Sequence, residues 1–173
     1  MASGYTAFDR NLPNAYLITF RCYGTYLPGE EGTVDNRRNH FGGPAFAFQA
    51  EWRSFSQAAL RFPPYKLDAE RRELVLKAVK DICKQRHWDL FAAHVRTTHV
   101  HNVVRAPVPP ERVMTALKAF ASATLNRAGF EDSDTRRWAR HGSTRYLWTK
   151  KDVAGAVHYV VDGQGEPMAV YAD

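Results

Sequence analysis

A chain of 173 residues, 45% of them hydrophobic, is long enough to bury one real core and too short for two ordinary domains. Its 24% charged and 13% aromatic shares exclude a disordered chain, and its two cysteines, Cys22 and Cys83, make neither a disulfide framework nor a cysteine-based zinc site. Lys plus Arg outnumber Asp plus Glu by 24 to 18, and seventeen of those cations are Arg, a balance that favours polyanionic partners.

No apolar run reaches the ~18 residues of a membrane span. The N-terminus, MASGYTAFDRN, has no apolar core of a signal peptide, so a cytoplasmic protein without membrane contact is expected.

Residues 16–23 (YLITFRCY) are rich in β-branched and aromatic types and predict a first strand. From 24 to 65 the chain is punctuated by glycine and proline and shows no convincing period. Such an irregular insertion carries function or docks as a lid. A short strand or a short helix fits between Ala45 and Phe62, and the charged run Asp35, Arg37 and Arg38 has no assigned task.

Asp68 is a good N-cap. Behind it Leu74, Val75, Ala78, Val79, Ile82 and Cys83 repeat at helical spacing, which predicts about five turns ending near His87. Two strand-like runs follow, 89–95 and 99–105, joined as a hairpin by Arg96-Thr97-Thr98. Pro107, Pro109 and Pro110 end the hairpin and open a second helix with the inward stripe Val113, Leu117, Phe120, Ala121, Thr124 and Leu125; Gly129 stops it. Residues 143–148 predict a fourth strand, and Thr149 with Asp152 has capping-box spacing for a last helix. This order predicts an α+β fold: a ferredoxin-like βαββαβ antiparallel sheet with helices on one face, plus a C-terminal helix, in a single domain over 1–173. The other sheet face is left to be covered or to bind a ligand.

The sharpest chemical feature is His99-Val100-His101 in a strand. Alternation puts both imidazoles on one face, where they can converge on a divalent cation. Two histidines are an incomplete site, and two surface histidines on a half-buried strand fit the same spacing. Ligation needs neutral rings, so metal affinity is expected to drop as pH falls through about 6.5. His94 reads as a satisfied strand histidine. On the last helix Val153, Ala156, Val157, Val160 and Val161 form the core stripe, and Tyr159 lies roughly 120–130° from its centre. It shares that polar side with Asp152, Gly155 and Asp162, and Gly155 leaves space over which the ring would lean.

His99-Val100-His101, a basic segment and a late helix with one tyrosine together resemble the single-tyrosine transposases of the HUH superfamily, in the branch that includes the REP-associated tyrosine transposases. YLITFRCYGTYL resembles that family's opening strand and turn, HVRTTHVHNVVRAPVPPERVMTALKAFASATLN its hairpin and second helix, and RHGSTRYLW with HYVVDGQG its fourth strand and catalytic helix. Arg96-Thr97-Thr98 stands where much of the wider family has Met-Pro-Asn, which marks a divergent branch. The resemblance implies a single-stranded DNA endonuclease and strand transferase acting on hairpin-bearing DNA at the nucleoid of a prokaryote. It implies Mg²⁺ or Mn²⁺ on His99 and His101, and Tyr159 as the nucleophile that forms a 5′-phosphotyrosine. It also implies a homodimer in which the tyrosine acts in cis or in trans.

The family's third ligand is commonly a Gln one turn after the tyrosine. Here that position is Gly163, and Gln164 sits roughly 140° around a regular helix from Tyr159. A left-handed Gly163 or a π-bulge would re-aim Gln164; Asp162 is the competing ligand. Residues 136–151 hold Arg136, Arg137, Arg140, Arg145, Lys150 and Lys151 and no acid, as a DNA backbone track or as a solvated face. Trp138 and Trp148 flank that run and could stack on bases, with core packing favoured for Trp148. Two other classes fit the residues less well: a non-catalytic single-stranded nucleic-acid-binding module on a ferredoxin-like sheet, and a metal hydrolase of small phosphate esters.

Overall fold

The computed structural model describes residues 12–27 and 49–173. Asp35, Arg37 and Arg38 lie outside the described residues, as does most of the insertion. Strand β1 (Ala15–Cys22), helix α1 (Ala50–Ala58), helix α2 (Ala69–Gln85), strands β2 (Asp89–Val95) and β3 (His99–Arg105), helix α3 (Pro110–Arg127), strand β4 (Trp138–Leu147), helix α4 (Lys150–Val161) and strand β5 (Ala169–Ala172) follow in that order.

All five strands are antiparallel to their neighbours, in the order β4-β1-β3-β2-β5. Strand β3 is therefore central, paired with β1 from Tyr16 opposite Val104 to Arg21 opposite His99, and with β2 through the hairpin. The hairpin runs as predicted, closed by Arg96 N–H on the His99 carbonyl at 2.8 Å.

The two sheet faces are built differently. Ile18 and Phe20 of β1 and Val100 and Val104 of β3 meet Val75, Val79 and Ile82 of α2 and Val113, Leu117 and Leu125 of α3 in the main core. Alternation turns the residues between them to the other face, where Ala15, Ala92, Val103 and Leu147 meet Ala156 and Val160 of α4. Burying a side chain such as Phe20 contributes about 1.5–3 kcal/mol, so the first face supplies most of the stability.

The helix ends follow their chemistry. Asp68 accepts from Arg71 N–H at 2.9 Å to cap α2. Thr149 and Asp152 complete a reciprocal capping box on α4, as their spacing predicts. The segment left open between strand and helix is helical over Ala50–Ala58 and buries none of its side chains.

Two expectations are corrected. Strand β4 starts at Trp138 rather than Ser143, because a bulge opposite Phe20 and Cys22 lets pairing with β1 continue past Gly142. Strand β5 was not expected, because four residues after Pro167 are too few to show a period. It pairs with β2 from Ala92 opposite Ala172 to Val95 opposite Ala169.

Gly142 shows how tightly β4 is seated. A Cβ there would lie 2.5 Å from the Thr19 carbonyl oxygen and 2.6 Å from the Met114 sulfur. Gly142→Ala is expected to destabilise the fold by about 1–3 kcal/mol, read as a lower urea midpoint at unchanged slope.

Candidate active site

Because Phe20 and Val100 face the main core, Thr19, Arg21, His99 and His101 share the opposite face with α4. The two imidazoles meet edge to face with centroids 4.7 Å apart. Thr19 Oγ1 lies 2.7 Å from His101 Nδ1, and Thr98 Oγ1 lies 3.0 Å from His99 Nδ1. Each hydroxyl can accept an Nδ1 proton, which leaves each Nε2 with a free lone pair. His101 Nε2 is buried and has no hydrogen-bond partner.

Both rings are held neutral. Burial pushes His99 down to about 4, helped by the charges of Arg21 and Arg96. Burial pushes His101 down to about 3, with His99 the next cause. The proton competition expected near pH 6.5 is therefore displaced to about 4 and below. The Gln164 side chain comes near enough to both rings to oppose these shifts.

Tyr159 is 45% exposed. Its ring stands edge to face on His101 with centroids 5.6 Å apart. It does not lean over Gly155, where a Cβ would meet nothing within 4 Å. Gly155 instead opens a groove of about 730 Å³ that runs from Tyr159 to Thr19, Ser143, Arg145 and Lys151.

After Val161 the helix widens. Gly163 N–H is shared between the carbonyls of His158 and Tyr159, each at 3.2 Å. This π-type turn lies past the last helical residue, Val161, so Gln164 is re-aimed by the helix ending there rather than by a π-bulge within it. Gly163 does not adopt the left-handed conformation; Gly165 does, at φ +75°. A Cβ on Gly163 would lie 2.8 Å from the Tyr159 carbonyl oxygen, so the close turn needs glycine. Gln164 Nε2 donates to that carbonyl at 3.1 Å. Asp162 turns away and pairs with His158 Nδ1 at 2.9 Å. The structure thus brings His99, His101, Tyr159 and Gln164 together and leaves Asp162 outside.

His94 is fully buried opposite His101, with its Nδ1 donating to the Val160 carbonyl at 2.9 Å and its Nε2 accepting from Met168 N–H at 3.2 Å. Burial holds it below the usual imidazole range. It ties the end of the tyrosine helix to the start of β5, one partner on each side of Gln164.

The basic segment divides. Arg145 and Lys151 line the groove beside Tyr159. Lys150 is exposed, and Arg136 lies over the Phe62 ring at 5.9 Å. Arg140 lines a separate groove on the α3 side with Lys118 and His141. Arg137 is corrected. It is 2% exposed, donates to the Phe130 carbonyl at 2.7 Å and joins Glu131, which also holds Tyr65 and Arg71. It is a structural cation out of reach of a DNA backbone. The burial expected of the two tryptophans is reversed: Trp138 packs on Phe20 and donates to Ser122, whereas Trp148 is 56% exposed rather than in the core.

Sequence reading missed Thr19 and Arg21. Their signal was the alternation of Leu17, Thr19 and Arg21 against Tyr16, Ile18 and Phe20, readable once β1 is paired with β3. Arg21 stands opposite His99, its guanidinium 3.8 Å over the Tyr26 ring.

Among the described residues no group of three His, Cys, Asp or Glu gathers for a metal. Two neutral histidines whose Nε2 atoms are left as acceptors, one of them buried and unpartnered, with the Gln164 side chain near both rings, still fit a divalent cation. No helix among the described residues is long and apolar enough to cross a membrane.

Residues 65–158, more than half of the chain, match the model of the family described as IS200-like transposase. The match ends one residue before Tyr159. No curated protein matches by sequence. Among solved structures, a REP-associated tyrosine transposase bound to a REP hairpin is similar with TM-score 0.47 and 11% identity, over 94% of this chain and 72% of that one.

The neutral rings set an acid limit. Unfolded histidines take up protons near pH 6.5, while the folded His94, His99 and His101 take them up lower. Between those values the unfolded chain binds more protons, so stability rises with pH there and levels off above about 6.5. In EDTA the urea midpoint is expected to fall from pH 7 to pH 5, and His101→Asn to flatten that fall. An unchanged midpoint across this range would mean solvated rings.

Proposed function

The chain belongs to the IS200-like transposase family, and from that premise we propose that it is a single-stranded DNA endonuclease and strand transferase using Tyr159 as nucleophile. The observation that carries the reading is the Tyr159 ring set 5.6 Å from His101, beside a buried Nε2 with no partner.

In this reading Tyr159 Oη attacks the scissile phosphorus and gives up its proton. The new O–P bond replaces the bond to the 3′ oxygen, which leaves and is protonated. The 5′-phosphotyrosine keeps the phosphodiester energy, so a second 3′-OH reverses the step without an external energy source. His99, His101 and Gln164 would hold Mg²⁺ or Mn²⁺, which supplies charge neutralisation on the phosphate oxygens. Thr19 and Thr98 orient the two rings. Arg21 adds a fixed positive charge next to His99, and Arg145 and Lys151 hold the strand's phosphates in the groove. The substrate is a single strand bearing a hairpin, handled by a homodimer in the cytoplasm, at the nucleoid of a prokaryote. The domain is the whole of residues 1–173.

Incubating the protein with hairpin-bearing single strands and Mn²⁺ is expected to give a covalent protein–DNA band on a denaturing gel. Tyr159→Phe should bind the same strands and give no band. EDTA and His99→Ala should each remove the band and leave most of the affinity. Cleavage that survives all three changes would sink the tyrosine mechanism, and binding without any band in the wild type would leave a nucleic-acid-binding module.

Thr19 is tested separately. Thr19→Val keeps the shape but removes the acceptor for His101 Nδ1–H. Mn²⁺ affinity by titration calorimetry is expected to weaken about 10–100-fold.

A further inference from the structure

Tyr146 near the end of strand β4 and Trp148 just past it leave two large rings in water, 43% and 56% exposed. They stack with centroids 6.0 Å apart and planes 18° from parallel. The pair is firmly mounted. Tyr16 meets Tyr146 edge-on at 5.2 Å. Asn14 Nδ2 donates to the Trp148 carbonyl at 2.6 Å, and Asn14 N–H donates to the Leu147 carbonyl at 2.8 Å. The capped start of α4 follows at Thr149. Rings ordered in advance can take a flat ligand without a further entropic cost.

The surrounding charge selects the ligand. Of the six cations in residues 136–151, Arg145, Lys150 and Lys151 are near the rings in sequence and exposed, and the next acid, Asp152, is taken up in the cap of α4. Glu111 of α3 accepts a hydrogen bond from the Thr144 hydroxyl at 3.1 Å and is the acid whose charge reaches Tyr16 under the pair. An apolar partner helix would gain nothing from these cations. A single strand of nucleic acid uses both features, phosphates on the cations and bases on the rings. Position agrees with this. β4 is an edge strand, and alternation puts Arg145 on the face of the Tyr159 groove and Tyr146 on the other. A strand leaving the groove reaches the rings by turning round the sheet edge.

We propose that Tyr146 and Trp148 form a stacking site for an unpaired base of single-stranded DNA, flanking the segment held at Tyr159. The proposal rests on the single-stranded DNA reading given above and adds where a base outside the cleavage groove is held. The site reads the face of a base rather than its edge, so it is tolerant of sequence.

The test compares full-chain wild type, Trp148→Ala and Trp148→Phe on oligodeoxythymidine of about 15 nucleotides and on a matched oligonucleotide with abasic positions. Wild type is expected to prefer the base-bearing strand. Trp148→Ala should lose about tenfold of affinity for it and bind both strands alike, whereas Trp148→Phe should retain part of the preference. The salt slope, roughly 0.7 log unit per phosphate contacted, should not change, because no cation is removed. Circular dichroism melting checks that the exposed substitution leaves the fold intact. Equal binding of both strands by wild type, or an unchanged preference in Trp148→Ala, overturns the proposal. So does light scattering in which Trp148→Ala only separates two copies and leaves DNA affinity unaltered. The covalent-band experiment reports independently: a band with no base preference removes the stacking site alone, and base preference with no band removes the cleavage reading alone.

Discussion

Strand β3 lies in the middle of five strands, and helices cover it from both sides. The side chains from Val100 to Val104 are all buried and must therefore tolerate low dielectric, and His99 beside them is largely desolvated. Valines at 100, 103 and 104 do so at no cost. His99 and His101 do so only as neutral rings, and the N–H of a neutral ring in a dry place needs an acceptor. The neighbouring hydroxyls of Thr98 and Thr19 serve the Nδ1 atoms. Burial thus produces the low proton affinity, and the hydroxyls on Nδ1 leave the Nε2 lone pairs that a cation site requires. Asn102 on the same strand shows the cost of the alternative: it faces the main core with both amide atoms unpartnered.

The second constraint acts on the chain after Tyr159. Gln164 is five positions on, and a regular helix would carry it to the core side. The shared Gly163 N–H widens the turn by one residue, and glycine is the residue that allows the backbone to come so close to Tyr159. His94 then fixes the two ends of the connection, through Val160 and Met168. Local backbone chemistry at Gly163 and a long-range contact from β2 cooperate to place one amide group, and neither suffices alone.

Most of the fold was legible because its signals are periodic. The hairpin strands, the capping box and the stripe of α3 are patterns of 2.0 and 3.6 residues, and they fall where the spacing puts them. Strand β5 is too short to carry a period and exists because β2 offers it an edge. The extra half of β4 depends on a bulge, which is a property of pairing and not of one strand. Within the site the histidine pair and Tyr159 were legible as types on faces. Thr19 and Arg21 were not, because their role arises only from the register of β1 against β3. The basic run could not be divided from its composition. One strand's alternation sends Arg145 to the tyrosine groove, the bulge sends Arg140 to the α3 side, and Glu131 draws Arg137 into the interior.

The helices differ in how firmly they are held, and the difference bears on how the site works. Helices α2 and α3 each bury six side chains, while α4 fully buries only Ala156 and Val160, both small. Apolar burial scales with area, so α4 is the weakest-held of the three by this term. Its position relies on the partly buried Val153, Val157 and Val161 together with the His94 bond to Val160 near its end, while the Thr149–Asp152 box sets where the helix starts. The histidine side of the site is consequently built into the most stable part of the sheet, and the tyrosine side is carried on an element that can open locally without unfolding the core. In the proposed reaction, where Tyr159 would accept a strand, hold it covalently and return it, that division would keep the histidine pair in place while the tyrosine helix adjusts to the strand.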